Sequence, residues 1–268
     1  MRLCVKIGGA QLEEAGARAV LARAIASARD AGHEIVVVHG GGNQIRALCR
    51  RLGIEDRYHD GLRITDAATA TVATQVLCGE VNKALVQSLG ESAVRAVGMC
   101  GADGAVFTAR RHQPDGHDLG YVGVIHRVDR SVVDALLAAG FTPTLATLAP
   151  LDPDCEGPRD HLYNINADHA AAPIAAALGC DAMLFLTDVP GVLDADRQRI
   201  AALSPEDCVR LRAEGVLTGG MIPKVDAALG AVTALPSGLV KIAPAAGADA
   251  VLAALSDEVG TRFAPTTC

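Results

Sequence analysis

Lys6-Ile7-Gly8-Gly9 and His39-Gly40-Gly41-Gly42 put two glycine turns in the first 42 residues, each at the end of an apolar run. Backbone without Cβ atoms can turn sharply and aim several N–H groups at one spot, and a following helix adds the positive end of its dipole. Such a turn is a receptor for an anion. Thr218-Gly219-Gly220-Met221-Ile222-Pro223-Lys224 is a third, so each half of the chain supplies one lysine beside glycines. Lysines and backbone amides converging from two sides suit phosphoryl transfer, where the protein mainly positions the reactants and neutralises charge on the moving group. The phosphate loop GxxxxGK followed by Ser or Thr is absent. GxGxxG fails as well, because Ile45 stands where its last glycine belongs, which argues against a dinucleotide-dependent oxidoreductase.

The elements that must hold these turns follow from patterning. Ile35 to Val38 is an unbroken β-branched run, as in strands buried on both faces of a parallel sheet. Strands are expected at 3–7, 34–38, 93–97, 105–108, 121–125, 142–148, 183–187, 239–242 and 261–263. Helices are expected at about 13–31, 43–53, 66–90, 130–139, 167–178 and 224–234, with Thr65 as N-cap of the long third one. Ser204-Pro205-Glu206-Asp207 reads as a further N-cap with proline at the first helical position. The alternation predicts an α/β fold: an open, mainly parallel central sheet sandwiched by helices, in two lobes. Residues 149–160 hold three prolines and four acidic residues and form the candidate boundary between lobes 1–150 and 151–268.

Composition bounds the function. With 50% hydrophobic residues, 3% aromatics and no Trp, the core must come from Ala, Val, Leu and Ile. A net charge of −7 argues against a general nucleic-acid or anionic-membrane binder, so any anion must be held by local cations. The eight cysteines are never closer than 22 positions, which gives no zinc spacing and fits a reducing cytoplasm. No signal peptide and no apolar run near 18 residues is evident, so the expectation is a cytoplasmic protein.

In their order, Lys6–Gly9, His39–Gly42, Asp60–Asp66, Val81–Lys83, Leu119–Gly123, Tyr163–Asp168, Leu186–Leu193 and Gly219–Lys224 resemble the amino-acid kinase family over nearly the whole chain. Within that family the likeness is to the branch acting on N-acetyl-L-glutamate. It implies ATP-dependent phosphorylation of that substrate's side-chain carboxylate, the second step of arginine biosynthesis. It also implies that Lys6 and Lys224 stabilise the transferring phosphoryl group while Asp168 organises the two ammonium groups. Gly8 and Gly9 would hold phosphate. Gly41, Gly42, Arg63 and Asn164 would form the substrate pocket, with Arg63 as a bidentate fork on the α-carboxylate. Asp188, Val189, Pro190, Gly191, Val192 and Leu193, with Val216, Leu217 and Thr218, would bind ATP, and Mg²⁺ would be held through ATP without protein ligands. The lobe 1–150 would bind acetylglutamate and dimerise; 151–268 would bind ATP.

His39 is expected to pack at its strand end, and Arg46, Arg50, Arg51 and Arg57 to form a solvated face. Two features bear on assembly. Only Met1 and Arg2 precede the first strand, so the extra helix of ring-forming, arginine-inhibited members is missing. The helix 66–90 has a surplus of apolar residues (Ala67, Val72, Val76, Leu77, Val81, Leu85, Val86, Leu89) that would suit a two-fold interface. A homodimer insensitive to arginine is therefore expected. Asn43 departs from the family's usual proline. Two other readings stay open: a kinase acting on carrier-protein-linked aminoadipate or glutamate, favoured by the arginine cluster, and a non-catalytic ligand sensor on the same fold.

Overall fold

In a computed structural model of the chain, residues 1–265 are described; Cys268 lies outside them. The chain alternates β1 (Arg2–Ile7), α1 (Ala15–Asp30), β2 (Glu34–His39) and α2 (Gly42–Leu52). A short hairpin follows, β3 (Tyr58–His59) with β4 (Leu62–Arg63), and then a long helical stretch, α3 (Ala67–Thr74), a π-helical segment Gln75–Val81, and α4 (Asn82–Glu91). Next come β5 (Ala96–Cys100), β6 (Phe107–Arg111), β7 (Val122–Val128), α5 (Ser131–Ala138), β8 (Thr142–Ala146) and β9 (Leu148–Ala149). The remainder runs β10 (Tyr163–Ile165), α6 (Ala167–Ala177), β11 (Ala182–Thr187), β12 (Ala202–Leu203), α7 (Pro205–Ala213), α8 (Met221–Ala234), β13 (Leu239–Pro244), α9 (Ala250–Ala253) and β14 (Thr261–Phe263).

Eight strands form one sheet in the order β12-β14-β13-β11-β1-β2-β8-β5, parallel except for β13 with β14. The sheet is thus continuous through both halves of the chain. Alternate residues of each central strand enter opposite layers, as a period of two requires. Val36 and Val38 join one apolar cluster, with α6 and α8; Ile35 and Val37 join the other, with α1 and the 67–91 stretch. β1 lies at the centre, with β2 on one side and β11 on the other, so the chain reverses its direction of travel across the sheet there. Crevices of open α/β sheets form at the carboxyl ends of strands flanking such a switch point. A smaller sheet, β6-β7-β10-β9, covers that end. The 149–160 loop links β9 to β10 within this smaller sheet. Among the described residues no helix is long and apolar enough to cross a membrane.

The structure corrects several expectations. The N-cap of the long helix is Asp66, whose carboxylate accepts from Thr69 N; the Thr65 hydroxyl instead donates to Arg63 O. The strand expected at 93–97 starts at Ala96, because the amides of Ser92, Ala93 and Val94 close the preceding helix on the carbonyls of Leu89 and Gly90. Likewise β6 starts at Phe107, since Asp103–Ala105 form a turn with Ala105 at φ +54°. The apolar surplus of the long helix is satisfied within the chain: Val72, Val76, Leu77, Val81, Leu85 and Leu89 are all buried here. Val86 stays half-buried and Ala67 exposed, so only these two of the apolar residues counted in that helix are left toward its outer face.

The α7 start forms as the sequence predicts. Ser204 Oγ accepts from Asp207 N and the Asp207 carboxylate accepts from Ser204 N, both at 3.1 Å. Ser204→Ala is expected to lower stability by about 1 kcal/mol in urea unfolding, the usual worth of an N-cap, with turnover unchanged. A loss under a few tenths would show the reciprocal bonds to be idle.

Candidate active site

A cleft of about 300 Å³ opens at the carboxyl ends of β1 and β2. Its lining includes Lys6, Gly8, Gly9, Gly41, Gly42, Arg63, Asn164, Asp168 and Lys224, nine residues singled out from sequence and drawn from positions 218 apart. Lys6 is fixed by β1, hydrogen-bonded on both sides: it pairs with Val38 of β2 and Phe185 of β11. Its side chain is only 5% exposed, and Nζ lies 2.6 Å from Asp168 Oδ1. Lys224 stands on the first turn of α8, 25% exposed, with Nζ 3.9 Å from Asp168 Oδ2. One carboxylate thus faces both ammonium groups, one oxygen toward each.

Asp168 is held rigidly. Asn166 caps α6 by accepting from the amides of Asp168 and His169, so the carboxylate sits in the first helical turn pointing into the cleft. Burial alone would push the Asp168 carboxyl up, but Lys6 and Lys224 outweigh it and hold it below the usual carboxylate range. Burial lowers the Lys6 ammonium and Lys224 acts the same way, against the opposing pull of Asp168. Charge repulsion between two lysines is the strain that an incoming anion relieves.

The glycines earn their places by close approach. A Cβ on Gly41 would lie 2.6 Å from Leu77 Cδ2 and 3.1 Å from Val81 Cγ2, so the π-helical segment leaves no room for a side chain. A Cβ on Gly9 would come within 3.4 Å of Gly42 N, which shows how closely the two turns face each other. Gln44 Nε2 donates to Gly9 O and ties them together. With its amide oriented by its partners, Gln11 donates to Gly8 O and accepts from Asp188 N, both at 3.1 Å. Asn43 donates to Glu13, joining α2 to the loop before α1. His39 is buried, and burial pushes it down to about 4. It is therefore neutral, with Nδ1–H assigned to Gly40 O and Nε2 accepting from Asn82, both at 2.9 Å. It pins the glycine turn.

Arg63 ends β4 and also lines the cleft. Its Nη2 donates to Gly42 O, its Nη1 pairs with Asp56, and its guanidinium lies 4.9 Å from the Tyr58 ring centre. Burial lowers it to about 10, still charged at neutral pH. Both terminal nitrogens already donate, so the fork is not wholly free as the sequence reading assumed. Asn164 Nδ2 reaches Thr65 Oγ1 at 3.3 Å, placing its amide beside the Arg63 strand. Arg46 is not simply solvated: it lines the cleft and bonds to Asp56 and Tyr58.

The segments 188–193 and 216–218 lie outside the lining of this cleft. Val192 and Leu217 turn their side chains into the core, so only their backbone could meet a ligand. Thr261 secures the first segment by accepting from Val192 N and donating to Ile200 O. Gly191, at φ +147°, has no space for a Cβ, which would sit 2.7 Å from Thr261 Oγ1. Sequence reasoning gave no role to Gln11, Asn166 or Thr261: Gln11 and Thr261 act on loops far away in the chain, which leaves no local pattern, whereas the Asn166 cap two residues before Asp168 was a local signal that could have been read. Among the described residues one set of possible metal donors, His126, Asp152 and Cys155, lies away from the cleft, and Asp152 is already paired with Arg127.

The cleft therefore brings together ammonium groups, backbone amides of two glycine turns and guanidinium groups. Residues 1–237 match the amino acid kinase family. The chain belongs to that family. It is a phosphotransferase of a kinase family, and ATP use follows from that membership. An acetylglutamate kinase of Methylobacterium nodulans is 42% identical over 238 residues, covering 85% of this chain and 76% of that one. A protein of solved structure from Streptococcus mutans is 27% identical, with a TM-score of 0.78 and 98% of each chain covered. The N-acetylglutamate synthase of Neisseria gonorrhoeae, solved with coenzyme A and N-acetyl-glutamate, is 25% identical with a TM-score of 0.81; the match covers all of this chain and 60% of that one.

Proposed function

We propose that the protein phosphorylates the side-chain carboxylate of N-acetyl-L-glutamate at the expense of ATP, in arginine biosynthesis. The observation that carries the reading is that one cleft is lined both by the Lys6–Asp168–Lys224 cluster and by the buried Arg63. A dicarboxylate fits that arrangement, one carboxylate for chemistry and one for anchoring. The names of the 42%-identical relative and its like support the same substrate.

The reaction needs no general base. A side-chain carboxylate has a reference pKa of about 4.3 and is already anionic at neutral pH. One of its oxygens forms the new bond to phosphorus while the bond from phosphorus to the bridging oxygen of the leaving diphosphate breaks, its electron pair staying on ADP. ATP supplies the phosphoryl group. Lys6 and Lys224 meet the charge on the moving group from two sides, and Asp168 keeps both ammonium groups in place without taking the proton of either. The N–H groups of Gly8, Gly9 and Gly41 hold phosphate or carboxylate oxygens. Asn164 and Gly42 complete the acetylglutamate pocket with Arg63. The Asp168 carboxylate faces Lys6 and Lys224. Mg²⁺ would be held chiefly by ATP phosphates and water, in keeping with its reluctance to dehydrate. In this reading the first lobe, 1–150, binds acetylglutamate and the second, 151–268, binds ATP through 188–193 and 216–218.

A coupled ADP-release assay over free, acetylated and carrier-linked acidic amino acids tests the substrate. Turnover with N-acetyl-L-glutamate is expected to exceed that with glutamate or aspartate by at least on the order of a hundredfold, the scale of a missing complementary group in a polar site. Turnover of a carrier-linked substrate with none of N-acetyl-L-glutamate would sink the proposal.

A further inference from the structure

The anchoring end of the cleft has a charge problem that one arginine cannot solve. Arg63 is paired with Asp56, and a guanidinium with a carboxylate sums to zero. Such a pair has hydrogen-bond donors left over but no net attraction for a second carboxylate. A fixed like charge next to the incoming anion would oppose it at short range.

Arg46 changes the balance. It projects from α2 into the same cleft, and its Nε donates to Asp56 Oδ2 at 3.1 Å while Arg63 takes Oδ1. Its Nη2 reaches Tyr58 Oη at 3.2 Å, and that hydroxyl in turn donates to Asp56 Oδ2. The Tyr58 ring faces both cations, at 5.7 Å from Arg46 and 4.9 Å from Arg63. Two guanidiniums and one carboxylate sum to +1, the charge that one substrate carboxylate neutralises.

Donor counts agree. A guanidinium has five N–H groups in a planar fork. Arg63 directs one from Nη1 to Asp56 and one from Nη2 to Gly42 O, leaving a single N–H on each terminal nitrogen. Arg46 uses Nε and one N–H of Nη2, and among the described residues its Nη1 donates to nothing. At 52% exposure it stands at the mouth of the cleft, where Arg63, at 7%, lies beneath.

We infer that Arg46 is a second anchoring arginine, which with Arg63 receives the α-carboxylate of the substrate, and that Asp56 and Tyr58 hold the two guanidiniums in register for it. The inference rests on the proposed substrate and assigns a specificity-determining residue beyond Arg63 and Asn164. Asp56 then has two opposed effects: it orients both arginines, and it cancels one of their charges. Arg46 makes the first affordable by outweighing the second.

The test is kinetic, with wild type, Arg46→Ala and the double variant Arg46→Ala/Asp56→Asn. Arg46→Ala leaves a neutral Arg63–Asp56 pair, so KM for N-acetyl-L-glutamate is expected to rise on the order of tenfold to a hundredfold. The kcat and the KM for ATP stay near wild type, because the reacting end is untouched. Adding Asp56→Asn restores a net +1 and is expected to recover most of the lost affinity. A merely structural tie between α2 and the β3–β4 hairpin predicts the opposite, since the second substitution removes another bond from it. The α-carboxamide analogue of the substrate supplies a second reading: wild type should disfavour it, and Arg46→Ala should lose much of that preference. A wild-type KM in Arg46→Ala, or a double variant worse than the single one, would overturn the inference alone. Absence of any binding or turnover of N-acetyl-L-glutamate by wild type would overturn the proposed substrate and this inference together.

Discussion

Lys224→Ala is expected to lower kcat by on the order of 10² or more, the scale seen when one preorganised electrostatic donor is removed. The attraction of Lys224 for the phosphoryl group grows as charge builds on the group in flight, so its loss falls on kcat more than on KM. The fold should not notice. Lys224 is a quarter exposed on the first turn of α8, and its Nζ stands 3.9 Å from Asp168, a looser contact than the 2.6 Å of Lys6. Its truncation opens no core cavity, so stability should remain within about 1 kcal/mol of wild type. Steady-state kinetics at saturating ATP and N-acetyl-L-glutamate, with thermal unfolding of the same preparation, separate the two effects. Full kcat in a folded variant would remove Lys224 from the mechanism.

Much of this was legible in the chain because the relevant residues carry strong local signals. The run Ile35–Val38 could only be a strand buried on both faces, and it is. The glycine turns and the side chains of Lys6, Arg63, Asn164, Asp168 and Lys224 do meet in one cleft. What sequence concealed was pairing. The Asp56 carboxylate between two arginines is seven residues from one and ten from the other, in a loop without periodicity. Strands of two residues, such as β3, β4 and β12, are too short to show an alternation. The helix 66–90 hid its packing for a physical reason as well. A strict 3.6-residue stripe cannot take up its apolar residues, but the π-helical Gln75–Val81 segment shifts the register midway, so both halves bury theirs against the same core. The apolar surplus counted in the sequence is thus largely taken up by a change of helical pitch.

Asp168→Asn should disturb stability as well as chemistry, with a pH signature of its own. The substitution leaves the Lys6 ammonium in a buried site beside a second ammonium, with no anion between them. Removing one partner of a buried pair costs about 3–5 kcal/mol. Deprotonation sets a ceiling: at pH 7 a lysine of reference pKa about 10.4 can shed its proton for about 4.6 kcal/mol. The deficit should therefore shrink as pH rises, because the unfolded chain then binds the extra proton less strongly. It should shrink at the acid end for a different reason. In wild type the Asp168 carboxyl is held below its usual range, so its contribution is present above the unfolded value of about 3.9 and is lost as pH falls through the lower folded one. Urea midpoints of wild type and variant at pH 3, 7 and 9 should diverge most at pH 7. A deficit independent of pH would mean that Asp168 stabilises through its place at the start of α6, and that the two lysines do not depend on its charge.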